Sequence, residues 1–184
     1  MLSKLEWALK YAERGFAVLP LHTPDEEGIC SCGNIMCGKK TGKHPRTENG
    51  LNDATTDEVL IRQRWTRWPD ANIGIACNKS GITVIDVDNH EGKANGIEEL
   101  NKILKDIGKE LPPTVTAITG GGGMHLLFKM PDVMLKSKLC DGVDVKDIGY
   151  IVAPPSIHYS GKQYTWQEGF SPFNKGIAEL PECL

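Results

Sequence analysis

Acidic residues alternate with apolar ones inside short strand-like runs, and this pattern restricts the chain more than any other. In VIDVDNH at 84–90, Asp86 and Asp88 sit two residues apart around Val87; in GVDVKD at 142–147, Asp144 lies between Val143 and Val145. Side chains at i and i+2 of a strand face the same way, so Asp86 and Asp88 project together while Val87 points to the opposite, buried face. Asp144 repeats the apolar-Asp-apolar pattern and can close the same site from a neighbouring strand. The result is a sheet with one buried face and one chemical face.

Two more segments add to this face. TGGGGMHLLF at 119–128 delivers His125 directly after four glycines, and YIVAPPSIH at 150–158 ends an apolar run in two prolines, a serine and a histidine. Gly121, Gly122 and Gly123 lack side chains, so their backbone N–H groups can approach phosphate oxygens closely. His125 at the exit of that turn can donate to a phosphate or accept a proton. Ser156 and His158 are expected to face outward and touch nucleotide or template, or else only to shape the turn. Alone, an Asp-x-Asp is often a solvated strand end and a histidine often an ordinary one. Their coincidence points to divalent metal plus polyphosphate: two carboxylates roughly 7 Å apart at the backbone can converge on Mg2+ or Mn2+ ions about 4 Å apart, the arrangement that activates a hydroxyl and stabilises a leaving pyrophosphate.

A different metal chemistry is written at 28–48. Cys30, Cys32, Cys37 and His44 form C-x-C-x4-C-x6-H within CSCGNIMCGKKTGKHP, a stretch too polar and glycine-rich to bury much apolar surface. Such a loop needs a staple, and structural Zn2+ held by three thiolates and one imidazole is the expected one. Cys77, Cys140 and Cys183 lie apart and read as small core or surface residues. GKKTGKH at 38–44 mimics a phosphate-binding loop but misses the G-x-x-x-x-G-K-[ST] spacing, with His44 where Ser or Thr should be; GGGG at 120–123 lacks the Lys-Ser/Thr pair and leads into a strand. Neither is a nucleotide-binding fingerprint of the ATPase or dinucleotide type.

With 184 residues, the chain can build one substantial core or two tightly packed lobes. A net charge of −3 argues against coating nucleic acid with bulk positive charge, but leaves room for local carboxylate and basic groups. The basic residues Lys39, Lys40, Lys43, Arg46, Arg62, Arg64, Arg67, Lys136 and Lys138 read individually as solvated surface charge. Neither a membrane span nor a secretory signal is visible, so the cytoplasm is the expected compartment.

Periodicity predicts a helix over 3–14 and strands at 16–21, 72–76, 81–88, 115–119, 125–130, 143–145, 150–153 and 163–166, the last being the final strand. Further helices are expected from a Thr55 or Thr56 cap to about Trp68, and near 94–107 before Pro112-Pro113. Interleaved helices and strands without repeats place the chain in the α/β or α+β classes, with a mixed or mostly antiparallel sheet.

Taken in order, FAVLPL, CSCGNIMCGKKTGKHP, NGLNDATTD, WPDANIGIA, VIDVD, TGGGGMHLLF, GVDVKDIGYIVAPPSIH and GKQYTW make the chain resemble the bifunctional DNA primase/polymerase (prim-pol) catalytic domain of the archaeo-eukaryotic primase superfamily. The resemblance covers nearly the whole of 1–184. It implies a single catalytic domain with a two-lobed α/β core, an RRM-like sheet region at 72–166 carrying the acids, and an inserted zinc-binding loop at 28–48. It further implies template-directed nucleotidyl transfer, with Asp86, Asp88 and Asp144 as the metal-binding acids. His125 would contact the incoming nucleotide's phosphates, and Lys146 would stand where a basic residue meets phosphate. The implied substrates are a single-stranded DNA template and dNTPs or NTPs, in replication of a plasmid, phage or mobile element. Larger members carry a helicase or ATPase region after this domain; here an excised domain or a partner supplying unwinding is expected. Two other readings stay open: a non-catalytic DNA- or nucleotide-binding module, and a metal-dependent replication-initiation nuclease. The second usually needs H-x-H and a nucleophilic tyrosine, for which the chain has no convincing candidate.

Overall fold

A computed structural model of the chain describes residues 2–89 and 95–182. His90, Cys183 and the expected helix start at residue 94 lie outside them. Helix α1 (Lys4–Glu13) begins in a capping box: the Ser3 hydroxyl accepts from the Glu6 N–H while the Glu6 carboxylate accepts from the Ser3 N–H. Strand β1 (Val18–Leu21) follows, then the cysteine-rich loop, whose Ile35–Lys40 segment winds as a 3-10 turn. Helix α2 (Glu58–Arg67) is capped by Asp57, whose carboxylate accepts from the N–H groups of Val59 and Leu60, and not by Thr55 or Thr56. Thr55 is held elsewhere: its backbone exchanges two hydrogen bonds with Val18.

The chain continues through β2 (Asn72–Ala76), β3 (Ile82–Val87), α3 (Gly96–Asp106), β4 (Val115–Ile118), β5 (Met124–Lys129), β6 (Lys138–Cys140), β7 (Val143–Lys146), β8 (Tyr150–Ala153), β9 (Thr165–Trp166) and β10 (Ala178–Glu179). The sequence reading anticipates neither β6 nor β10, which are too short to show a period, and the 163–166 run contracts to two residues in β9. Three strands form one antiparallel sheet, ordered β1-β2-β8. A larger sheet is ordered β6-β7-β3-β5-β4-β9, with β10 lying beside β5 where β4 ends. The β10–β5 pair is parallel and the other named pairs are antiparallel, so of the two classes left open the architecture is α+β.

The alternation in β3 sorts its two faces. Ile85 and Val87 pack with Leu100 and Leu104 of α3, Phe128 and Val143. Ile82 and Val84 pack on the other side with Val115 and Leu127 against Ile73, Ile75, Ile151 and the buried faces of α1 and α2. Tyr11 joins this core although its residue type hid it from the helical stripe; its hydroxyl donates to Pro154 O at 2.6 Å and accepts from Trp166 Nε1 at 2.9 Å. Beyond Val84 the same face runs out of apolar partners. There the acids begin.

Candidate active site and metal-binding loop

Strand register builds the site. Asp86 on β3 stands directly opposite His125 on β5 and, on its other flank, opposite Asp144 on β7. Directly opposed residues share a face, so the three lie in one row across the sheet. Lys146 is two residues on from Asp144, and its ammonium contacts Asp86 Oδ2. His125 Nε2 lies 3.4 Å from Asp86 Oδ1. A cavity of about 230 Å3 opens here, lined by Asp86, Asp88, His125, Lys146, Thr119, Gly121, His158, Tyr164, the β8 residues Tyr150, Ile151 and Val152, and Lys43.

The electrostatics follow from burial against charge. The Asp86 side chain is only 13% exposed; burial alone would raise its carboxyl, but His125, Lys146 and Lys43 together hold it below the ordinary carboxylate value. Burial lowers the His125 pKa despite the opposing pull of Asp86, which leaves the imidazole neutral at neutral pH. Its Nδ1 is buried with no hydrogen-bond partner among the described residues. A buried polar atom in that condition costs roughly 1–3 kcal/mol unless something pairs with it.

Several expected site residues sit elsewhere. Asp144 shares the row but is exposed, and it is absent from the residues lining the cavity. Ser156 does not face outward: it is fully buried, and its hydroxyl accepts from the Ile73 N–H at 2.9 Å, tying the chain after β8 to β2. His158 does line the cavity, though buried, with Nδ1 2.8 Å from the Ser160 hydroxyl.

The glycine turn divides by role. A side chain at Gly120 would overlap the His158 Cβ at 2.2 Å, and one at Gly123 would overlap the Val87 carbonyl at 2.2 Å. The N–H groups of Gly122 and Gly123 are bonded to Thr119 within the turn, which takes them from any phosphate. Of the three glycines expected to meet nucleotide, Gly121 alone borders the cavity. Close packing thus accounts for Gly120 and Gly123, and a positive φ of +87° for Gly122.

Lys43, Tyr150, Tyr164 and Thr119 were not foreseen in the site. Lys43 looked like surface charge because it lies far from the acids in sequence. The loop that carries it gathers Cys30, Cys32, Cys37 and His44 so that their ligating atoms all lie within 4.8 Å of one another. Cys30 Sγ is 3.2 Å from His44 Nε2, Cys37 Sγ is 3.6 Å from the same atom, and Cys32 Sγ is 3.3 Å from Cys37 Sγ. Tetrahedral zinc with bonds of about 2.0–2.3 Å needs ligand atoms roughly 3.5–3.8 Å apart. The residues therefore fit zinc.

Among the described residues this is the one group of three or more such side chains drawn so tightly together. The carboxylates of the β3–β7 row are not gathered around a single point. A larger cavity of about 830 Å3 lies between residues 23–31 and 157–161, with Lys4 and Asp70 also on its wall; burial lowers the Lys4 ammonium to about 8 against the pull of Asp70, but among the described residues no histidine lines that cavity beside them.

The family described as bifunctional DNA primase/polymerase, N-terminal (Prim-Pol) has a sequence model that matches residues 8–183. The chain belongs to the Prim-Pol family. DNA primase/polymerase chemistry is what that membership implies, with DNA and nucleotides as substrates. No curated protein sequence is similar enough to this Prim-Pol chain to be matched to it. Among its described residues, no helix is long and apolar enough to cross a membrane.

Proposed function

We propose that this Prim-Pol chain is a template-directed nucleotidyltransferase that joins dNTPs or NTPs along single-stranded DNA, with Asp86, Asp88 and Asp144 as the acids for a pair of Mg2+ or Mn2+ ions. The observation that carries the reading is Asp86, paired across the sheet with His125 and sharing one cavity with Asp88 and two lysines, with Asp144 at the exposed end of the same row. Two carboxylates on one cavity suit Mg2+, which commonly takes one or two protein carboxylates and completes its shell with water and substrate phosphates. When bound, the ions supply activation of the attacking hydroxyl and neutralisation of the phosphate charge.

The chain's own residues do the rest. Lys146 offsets the charge of Asp86 and of an arriving triphosphate, while neutral His125 keeps its one proton on Nε2 toward Asp86, so that its unpartnered Nδ1 is an acceptor and becomes a donor to a phosphate oxygen only once the triphosphate's charge protonates the ring. The 230 Å3 cavity is smaller than the roughly 300–1,000 Å3 that enclose a whole small molecule. It suits a phosphate chain, with sugar and base left outside to meet a template. In the same reading, residues 1–184 act as one two-lobed catalytic domain with an RRM-like sheet over 72–166. It works in the cytoplasm on a plasmid, phage or mobile element, with unwinding supplied by a helicase or ATPase.

The test is incubation with single-stranded template, labelled dNTPs or NTPs and Mg2+ or Mn2+, with and without primer. Extended product from the wild type and none from Asp86→Asn is expected; undiminished synthesis by that variant refutes the reading. One observation favours a second reading, a DNA- or nucleotide-binding module: Asp86 already has Lys146 and His125 as partners, as a purely structural acid would. Tight nucleotide binding without turnover in the same assay is its signature.

A further inference from the structure

The loop that holds the cysteines and the cavity that holds the acids share one residue. Lys43 lines the cavity, and the next residue, His44, contributes its imidazole to the cysteine cluster. The mount is tied at Gly42, Lys43 and His44. Gly42 is buried at φ +71°, and a Cβ there would stand 2.7 Å from Pro24 Cδ. Its carbonyl accepts from Asn72 Nδ2 at 3.0 Å. The Lys43 carbonyl accepts from the Tyr150 hydroxyl at 2.9 Å, and Tyr150 itself lines the cavity. The His44 carbonyl accepts from the His22 N–H at 2.9 Å. The Lys43 ammonium stands 5.5 Å from the Tyr159 ring centroid.

We infer that the Cys30/Cys32/Cys37/His44 loop is a positioning device for the reaction: its metal fixes Lys43 as a phosphate-binding cation on the cavity it shares with Lys146, so nucleotide binding depends on the loop's metal. This rests on the nucleotidyl-transfer reading. The physical reason is preorganisation. Mounting the Lys43 backbone between a metal ligand and two side-chain hydrogen bonds removes the loop's own ordering from the cost of binding, and leaves only the lysine side chain, with about 2 kcal/mol of rotamer freedom, to be ordered. A triphosphate brings charge that Lys146 cannot meet alone, because Lys146 already contacts Asp86. A second cation on the same cavity balances it.

The experiment uses the zinc-loaded full chain and three variants, Lys43→Ala, Lys43→Arg and Cys32→Ser. Zinc content is read by release to a chromophoric chelator, and dNTP and nucleoside binding by titration calorimetry. The dNTP KM and kcat come from primer extension. Lys43→Ala is expected to keep its zinc and its nucleoside affinity while the dNTP KM rises on the order of tenfold or more. Its kcat should change less, and Lys43→Arg should recover most of the loss. Cys32→Ser is expected to lose zinc and to raise the dNTP KM comparably. The Lys43→Ala/Cys32→Ser double variant should be no worse than either single one, because both act through one unit. A Lys43→Ala KM within about twofold of wild type, in a chain that extends primers, overturns this inference and leaves the nucleotidyl-transfer reading standing. So does a zinc-free Cys32→Ser with wild-type KM. A wild type that neither binds dNTP nor extends primers overturns both.

Discussion

The two regions able to hold cations are built on opposite plans. In the cysteine loop, four ligating atoms already lie within 4.8 Å of one another. In the acid row, the carboxylates stand on separate strands and Asp86 is countered by protein groups, Lys146 and His125. A closed set of soft donors makes a site whose task is to hold a fold together. Separated hard oxygens with a resident counter-charge, the Lys146 ammonium, make a site that can wait for a charged ligand and complete its shell with it. In the proposed reading, zinc belongs to the architecture and Mg2+ or Mn2+ to the turnover.

The contrast breaks most decisively at Asp86. Asp86→Asn removes the buried charge on which the row depends, and primer extension is expected to fall by roughly 10^3-fold or more, with far-UV dichroism unchanged. Retained extension would move the chemistry out of this cavity. Next is the loop: Cys32→Ser should weaken zinc binding by roughly 100-fold or more and speed amide exchange across 28–48, while the protection of β2, β3 and β5 stays as in wild type. Exchange loss spread evenly over both sheets would show that the loop and the sheets are one cooperative unit.

A smaller effect separates Ser156 from the site. Its buried bond to the Ile73 N–H predicts that Ser156→Ala costs about 1–3 kcal/mol in urea unfolding, with the dNTP KM unmoved. The smallest concerns Cys77, a cysteine outside the loop. Burial pushes its thiol from 9.0 up to about 12. A folded pKa above the unfolded one gives a stabilisation that is complete below pH 9 and fades as pH rises toward 12. Urea midpoints should therefore fall between pH 9 and pH 10.5, and less steeply in Cys77→Ala than in wild type.

Much of the fold was legible because local patterns were strong. NIGIA and YIVA appear at their expected bounds as β2 and β8, and Val87 lies on a buried face opposite Asp86 as the i+2 spacing expects, but the face of the acids is also buried where Ile82 and Val84 join the core. Failures arose where a residue's local chemistry was outbid by a distant partner. Thr55 is a good cap by type, yet its backbone is taken up by Val18, leaving Asp57 to do the capping. Ser156 follows two prolines as a turn residue would, but a buried N–H on β2 needs its oxygen. Gly120 and Gly123 look like a cradle and instead admit His158 and the Val87 carbonyl.

By itself, then, the sequence determined which residues are acids, thiols and glycines, how they alternate, and hence that Asp86 projects to the opposite side of the strand from Val87. A period of two and a ligand spacing are local properties that the backbone obeys wherever it goes. Only the tertiary structure decided that β3 lies between β5 and β7, which puts His125 and Asp144 on either side of Asp86 and Lys146 against it. It alone brought Lys43 from a zinc-type loop to the same cavity. Strand order and loop closure join residues far apart in the chain, and no neighbouring residue carries a mark of those partners.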